Sequence, residues 1–381
     1  LIADTQDGAL LARERQRYRP ALDGLRGIAV MGVLMFHSGS NKYVVGLYPG
    51  GKYGVDVFFV LSGFLITGLL LAEHTKNATI SLRNFYMRRA LRLLPALAMT
   101  IVFVAIAAHV VGHNADGRSL KWAVFPVIFY VGNWAVAANP KNLGYLGHTW
   151  TLALEEQFYL FWPPVLKRAL RWDPAARRIA AVLFSVVVLL GVVRAYLTLI
   201  HFGHGLYQPA WRFDGLLLGS VLAIFLDRID TGALRRRLQS PTLAIVAFVV
   251  LGLITLWLPT HPRLEGFGGL SLFYVVAAVV VAFAGLADQH VGLNKLLSFP
   301  PLAGLGRISY GVYLFHIPTM ALIHTTRISH LENWQEVVIH QTASIAIAAA
   351  SYLLIERRIL ALKARFQPLD RTEPAAAQPA R

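Results

Sequence analysis

Ten apolar stretches recur along this chain, at about 22–41, 54–72, 93–112, 149–166, 179–200, 213–227, 242–258, 270–287, 301–324 and 336–356. A helix of about 20 apolar residues is long enough to cross the hydrocarbon of a bilayer. Backbone polar groups in hydrocarbon must be satisfied within the segment or in a closed barrel. Stretches of this length therefore predict an all-α, polytopic membrane bundle of about ten transmembrane helices. An eleventh stretch, 121–137, is weaker. It contains Pro126 and Asn133 and runs into Ala138, Asn139, Pro140 and Lys141.

Charge supports this class and excludes another. The chain has 381 residues, 36 Lys and Arg against 20 Asp and Glu, and a formal net charge of +16. A nucleic-acid-binding protein with that excess is polar overall. Here 56% of residues are hydrophobic and only 15% are charged, so a nucleic-acid partner is not expected. There is no cysteine, which removes disulfides, thiol nucleophiles and thiolate metal sites.

The distribution of the cations predicts orientation. With a cytoplasmic N-terminus and a non-crossing 121–137 segment, 25 of the 36 Lys and Arg fall in cytoplasmic segments. Seven fall in outer loops and four, Arg26, Arg194, Arg212 and Arg307, lie in or at the edges of spans. If 121–137 crossed, the cluster Lys167, Arg168, Arg171, Arg177 and Arg178 would move outside, against the positive-inside rule. The expectation is a multi-pass inner (plasma) membrane protein with both termini cytoplasmic. The segment 121–137 is then an interfacial or re-entrant piece on the outer side. The first 20 residues carry Arg13, Arg15, Arg17 and Arg19 but no apolar run with a cleavage site. The first span is therefore expected to act as an uncleaved insertion signal. The division expected is a cytoplasmic segment 1–19, a membrane domain 20–358 and a disordered cytoplasmic tail 359–381, Pro- and Ala-rich after about 366.

Ionisable groups inside spans are candidate functional sites because hydrocarbon makes them costly. The first span holds Asp23, Arg26 and His37. Arg26 and His37 are eleven residues apart, about 16 Å along a helix and about three turns, so they share one face. That suits a channel with a cationic anchor at one end and a proton-transfer group at the other. The alternative is that Arg26 snorkels and pairs with Asp23 at i, i+3. The second span holds Asp56 near its outer end and Ser62, which offers a hydroxyl or simply close packing. Arg88, Arg89 and Arg92 sit at the entry of the third span. Guanidinium groups suit phosphate oxygens, although charge alone reads this cluster as a positive-inside anchor. The fourth span opens with His148, Trp150, Glu155, Glu156 and Tyr159. His148 and Glu155 share a face about 10 Å apart along the axis. Paired carboxylates in a span suit a proton acceptor or a group that orients a histidine. The two point about 100° apart, so one of them is expected to face His37. The ninth span opens with Arg307, Ser309, Tyr310, Tyr313 and His316. A single intramembrane histidine is read equally well as a hydrogen-bonded core residue or as a functional one.

In order along the chain these stretches resemble the acyltransferase-3 family of membrane O-acyltransferases. The matching segments are Arg19-Pro-Ala-Leu-Asp23-Gly-Leu-Arg26-Gly with His37, Gly54-Val-Asp56-Val-Phe-Phe-Val-Leu-Ser62-Gly, and Phe85-Tyr-Met-Arg88-Arg89-Ala-Leu-Arg92-Leu-Leu-Pro95. They continue with His148-Thr-Trp150-Thr-Leu-Ala-Leu-Glu155-Glu156-Gln-Phe-Tyr159 and Ile308-Ser-Tyr310-Gly-Val-Tyr-Leu-Phe-His316. Thr151 stands where members often have Ser. The resemblance implies a cytoplasmic acyl-CoA donor, acetyl-CoA or another, and a hydroxyl acceptor on a cell-envelope glycan or a small molecule. It implies that Arg26, Arg88, Arg89 and Arg92 hold the donor phosphates. His37 would act as base or acyl relay, with Glu155 orienting it. Asp23, Asp56, Ser62, His148, Trp150, Glu156, Tyr159, Tyr310 and His316 would support the site. No metal is expected. Some relatives carry an added esterase-like domain; none is found in these residues, so a second transfer step on this polypeptide is not expected. Two other functions fit the same sequence features: acylation of a natural product or lipid, and transport of a lipid-linked or acylated molecule with the buried ions as proton relay.

Overall fold

A computed structural model of the chain describes residues 18–38, 48–111, 120–139, 141–200, 212–229, 232–290, 292–325 and 333–366. Arg13, Arg15, Arg17, Lys42, Arg118, Arg327 and the tail beyond 366 lie outside the described residues. The described residues form helices and turns, with no strand among them.

The helices that position the site are α1 (Pro20–His37), α2 (Gly54–Asn77), α3 (Leu82–Val111), α4 (Leu120–Ile128), α5 (Gly132–Ala138), α6 (Trp150–Trp172) and α7 (Arg177–Leu199). They are followed by α8 (Asp214–Ile224), α9 (Pro241–Trp257), α10 (Leu270–Leu286), α11 (Pro300–Arg307), α12 (Ser309–Thr325) and α13 (Asn333–Ser351). Proline sits in the first turn of α1, α9 and α11, where its fixed φ favours the helix and its missing N–H costs nothing.

Among the described residues six helical segments are long and apolar enough to cross a membrane: Pro49–Asn77, Leu82–His109, Arg177–Leu199, Pro241–Thr260, Pro262–Leu286 and Trp334–Ala361. The chain is an all-α membrane protein. The remaining four expected spans are helical too, as α1, α6, α8 and α12, but they are shorter or more polar. They carry Asp23 and Arg26, Glu155 and Glu156, Asp214, and His316. These side chains serve the interior of the bundle, which reduces the apolar length available to lipid. The 121–137 stretch folds as α4 and α5, separated by a bend at Tyr130 with φ 52°. Neither piece is long enough to span hydrocarbon.

Helix α2 is central. In its most apolar window 61% is buried, against 17% for α7. The outward faces of α7 and α9 expose Phe184, Leu189, Val192, Ile245, Val249 and Leu253, as a lipid-facing surface should. Close crossings hold the core. A Cβ on Gly63 would overlap the Leu216 carbonyl oxygen, and one on Gly219 that of Val60. Small residues of this kind let membrane helices approach backbone to backbone. Gly306 of α11 lies against the Asp23 carbonyl of α1 in the same way. That contact fixes the turn of α1 that carries Arg26.

After α13 the chain continues as a π turn, Tyr352–Glu356, the short helix Arg357–Ala361 and a 3-10 turn, Leu362–Phe366. Residues 359–366 of the expected tail thus continue in helical turns. They are tied to α3, where Arg88 donates to the Phe366 carbonyl at 2.6 Å.

Candidate active site

Two adjoining hollows run into the bundle from its arginine-rich end. The outer one is a basin of about 2250 Å³ lined by eight Lys and Arg side chains, among them Arg26, Arg88, Arg89, Arg92 and Lys363, against Asp23, Glu73 and Asp227. The inner one is a cavity of about 600 Å³ lined by residues that include Ser62, Thr151, Glu155, Ser309, Tyr310 and Tyr313. Arg26, Ser62, Arg89, Arg92 and Tyr159 line both, so the two are continuous.

The arginines are held differently. Arg26 pairs loosely with Asp23 at 3.5 Å, and Asp23 also accepts from the Tyr18 hydroxyl at 2.8 Å. Arg88 is committed to Glu73 at 3.0 Å and to the Phe366 carbonyl. The Arg89 guanidinium lies 3.8 Å from the centre of the Tyr159 ring, a cation–π contact. Among the described residues Arg92 has neither a salt bridge nor a hydrogen-bond acceptor. Lys363 lowers into the same basin, and burial, then the charges of Arg92, Arg89, Arg88 and Arg26, push its pKa down to about 8. Eight cations against three carboxylates leave an excess of positive charge that suits a polyanion. Lys363 and Glu73 were not singled out by sequence; Lys363 falls in a stretch read as tail.

Glu155 accepts a 2.9 Å hydrogen bond from Ser62 in the inner cavity. Glu156 points elsewhere, with Oε1 buried and without a hydrogen-bond partner among the described residues. Tyr310 lines the cavity and donates to the Leu93 carbonyl at 3.3 Å. Trp150 lines neither hollow and packs against the apolar cluster around Phe158 and Trp162.

His37 lies three turns from Arg26 on α1 and lines neither hollow. The group that faces it is His316, with Nε2 3.3 Å from His37 Nδ1. The His316 and His148 rings are 4.9 Å apart, and so are those of His316 and His37. Tyr313 joins this cluster to the cavity: its ring packs on His148 and His316, and its hydroxyl lies 2.6 Å from Thr151 Oγ1 and donates to the His148 carbonyl at 2.6 Å. The spacing on α1 brought Arg26 and His37 to one helix as expected. The carboxylate expected beside His37 is instead engaged by Ser62, and a histidine takes its place. Among the described residues no group of three His, Asp or Glu is arranged to hold a metal ion.

Asp56 is removed from both hollows. It accepts from Arg212 at 3.1 Å and from the Tyr274 hydroxyl at 2.7 Å. Arg212 also reaches Glu265 at 2.6 Å, and Glu265 accepts from Lys52 at 2.8 Å. Beside it Arg194 donates to Asp214 at 2.6 Å. Opposite charges balance in this network.

The sequence profile of the acyltransferase domain family matches residues 19–355. The chain belongs to the acyltransferase-3 family. It is 32% identical over 370 residues to the peptidoglycan O-acetyltransferase OatA of Listeria monocytogenes, covering 91% of this chain and 56% of that protein. It is 31% identical over 376 residues to the Bacillus subtilis protein named "Putative peptidoglycan O-acetyltransferase YrhL", covering 91% of this chain and 55% of that protein. The chain thus spans little more than half the length of these relatives. No solved structure matches.

Proposed function

We propose that this chain is a membrane O-acetyltransferase. It takes an acetyl group from acetyl-CoA at the arginine-rich end and gives it to a hydroxyl of a cell-envelope glycan such as peptidoglycan. The observation that carries this reading is the continuity of the two hollows through Arg26, Arg89, Arg92, Ser62 and Tyr159. A phosphate-rich carrier rests in the basin, and its acyl arm extends through the cavity toward Tyr313 and the histidine cluster. In this reading all ten helical stretches cross or enter the inner membrane, both termini are cytoplasmic, and the basin opens to the cytoplasm.

His37 acts as the base. Its Nε2 takes the proton of the acceptor hydroxyl as that oxygen attacks the acetyl carbonyl. The carbon–sulfur bond breaks, the sulfur leaves with the electron pair, and the proton passes from His37 to the thiolate. Cationic side chains at the cavity mouth neutralise the carrier phosphates and hold the thioester in reach. Glu155, fixed by Ser62, supplies the balancing negative charge among the arginines. Family membership and the names of the relatives support acetyl transfer to an envelope glycan.

Mass spectrometry of base-labile acetate on envelope glycans tests this. A deletion strain is expected to lose the ester. The wild-type gene should restore it and a His37→Ala gene should not. An unchanged acetate content in the deletion strain would sink the proposal.

A further inference from the structure

The hydrogen bonds around His37 assign its tautomer. Its Nδ1 lies 3.0 Å from the Val33 carbonyl oxygen. A carbonyl only accepts, so Nδ1 must carry the hydrogen. The same argument applies to His316, whose Nδ1 lies 2.5 Å from the Tyr313 carbonyl oxygen. A neutral His316 then has a bare Nε2, and that atom is the one 3.3 Å from His37 Nδ1. The two rings are complementary: His37 Nδ1–H is shared between the Val33 carbonyl and the His316 Nε2 lone pair. This leaves His37 Nε2 as the unprotonated nitrogen, with no partner among the described residues.

We propose that His316 is a positioning residue for the acetyl transfer, reinforcing with the Val33 carbonyl the His37 tautomer with a bare Nε2 and accepting a stronger hydrogen bond from Nδ1–H when the ring becomes cationic. The inference rests on the reading of His37 as base and names the group that makes it one. When Nε2 takes the hydroxyl proton, the Nδ1–H···Nε2 bond becomes charge-assisted and strengthens. An acceptor that gains strength only then favours the reaction rather than the resting state. His316 is fully buried. A carboxylate there would place a permanent charge among apolar groups, at a cost only close pairing could offset. A neutral imidazole performs the orienting task without that cost. Its own position is held from behind, where His340 Nε2 meets the His316 carbonyl oxygen at 2.8 Å. His148 closes the other side, its Nε2 turned to the Leu314 carbonyl at 3.2 Å. It therefore does not compete for the His316 lone pair.

The full chain in detergent, with radiolabelled acetyl-CoA and muropeptides, gives the kinetic test. His316→Phe keeps a ring of similar size and removes the acceptor. It should lower kcat by about 100-fold while the KM for acetyl-CoA stays within about twofold. His316→Gln returns an acceptor oxygen and should recover at least about tenfold of that loss. Wild-type kcat in His316→Phe, or no advantage of Gln over Phe, would overturn the role of His316. A second measurement needs no turnover. In protein labelled with ring nitrogen-15 histidine, His37 should show a protonated Nδ1 and a bare Nε2 at neutral pH, and His316→Phe, which leaves the Val33 carbonyl as the remaining acceptor, should shift the Nδ1 resonance and admit a fraction of the other tautomer. An unchanged His37 signal in that variant would also overturn the inference. Activity retained in His37→Ala would overturn the base reading instead, while the nitrogen signals still report on the His316–His37 bond.

Discussion

Ser62 and Glu155 come together from helices α2 and α6 across 93 positions of sequence, joined by a 2.9 Å hydrogen bond at the point where basin and cavity meet. The contact gives the Ser62 hydroxyl a hydrogen-bond partner in addition to its place in the packing. A hydrogen bond to a charged group contributes about 1.5–3 kcal/mol. Ser62→Ala is therefore expected to reduce acetyl transfer by about tenfold or more, measured at saturating donor. Glu155→Gln preserves an acceptor for Ser62 and removes the charge. A larger loss there than in Ser62→Ala would establish that the carboxylate charge is what the site uses.

The basin arginines should differ in effect. Arg92 has no protein acceptor among the described residues and is the arginine expected to meet donor phosphate in the proposed site. Arg92→Ala should raise the KM for acetyl-CoA by about tenfold or more, since a charge-assisted bond is worth about 1.5–3 kcal/mol. Arg92→Lys should restore little, because a lysine cannot reproduce the planar fork. Arg88 already serves Glu73 and the Phe366 carbonyl, so Arg88→Ala should lower thermal stability as well as donor affinity. Equal KM effects with no stability difference would refute this division.

In the proposed donor site Lys363 should introduce a pH dependence. Burial and the neighbouring arginines place its pKa at about 8. Below that pH it is an ammonium and attracts phosphate; above it the charge is lost. Donor KM is expected to rise between pH 7 and pH 9 by up to about tenfold, the value of one charge-assisted contact. Guanidinium groups hold their protons more tightly than an ammonium does. Lys363→Met should show a raised but flat KM from pH 7 to 9. A slope identical to wild type would remove Lys363 from the site.

The Asp56–Arg212 pair should matter for stability rather than for turnover. Asp56 is fully buried and Arg212 nearly so. Removing one partner of a buried pair costs about 3–5 kcal/mol because the other charge is left behind. Asp56→Ala should therefore sharply lower the thermal midpoint in detergent. Asp56→Asn, which keeps an acceptor for the Tyr274 hydroxyl, should lose less. Equal midpoints for the two variants would count against the hydrogen bond.

Local geometry was legible in sequence and tertiary pairing was not. Helical spacing put Arg26 and His37 on one element and separated Glu155 from Glu156, because both follow from 3.6 residues per turn. Apolar patterning identified the membrane class. It could not tell a helix that spans hydrocarbon from one that fills the middle of the bundle, since both are apolar. Hence α1, α6, α8 and α12 fall short of the length or apolarity that the ten-span expectation assumed. His37 meets a histidine 279 positions away, and Asp56 meets an arginine 156 positions away. No period in the chain encodes such encounters. Lys363 was hidden for a different reason: a short basic segment before a Pro- and Ala-rich end has the composition of a tail, and only its docking on α3 makes it part of the basin.

The cations of the basin would grip the part of the carrier that acetyl transfer leaves unaltered. CoA stripped of its acetyl group keeps every phosphate and so keeps nearly all of its hold on the protein. Spent carrier would compete with fresh carrier on almost equal terms, and the ratio of acetylated to free CoA in the cell would act as the throttle on the enzyme.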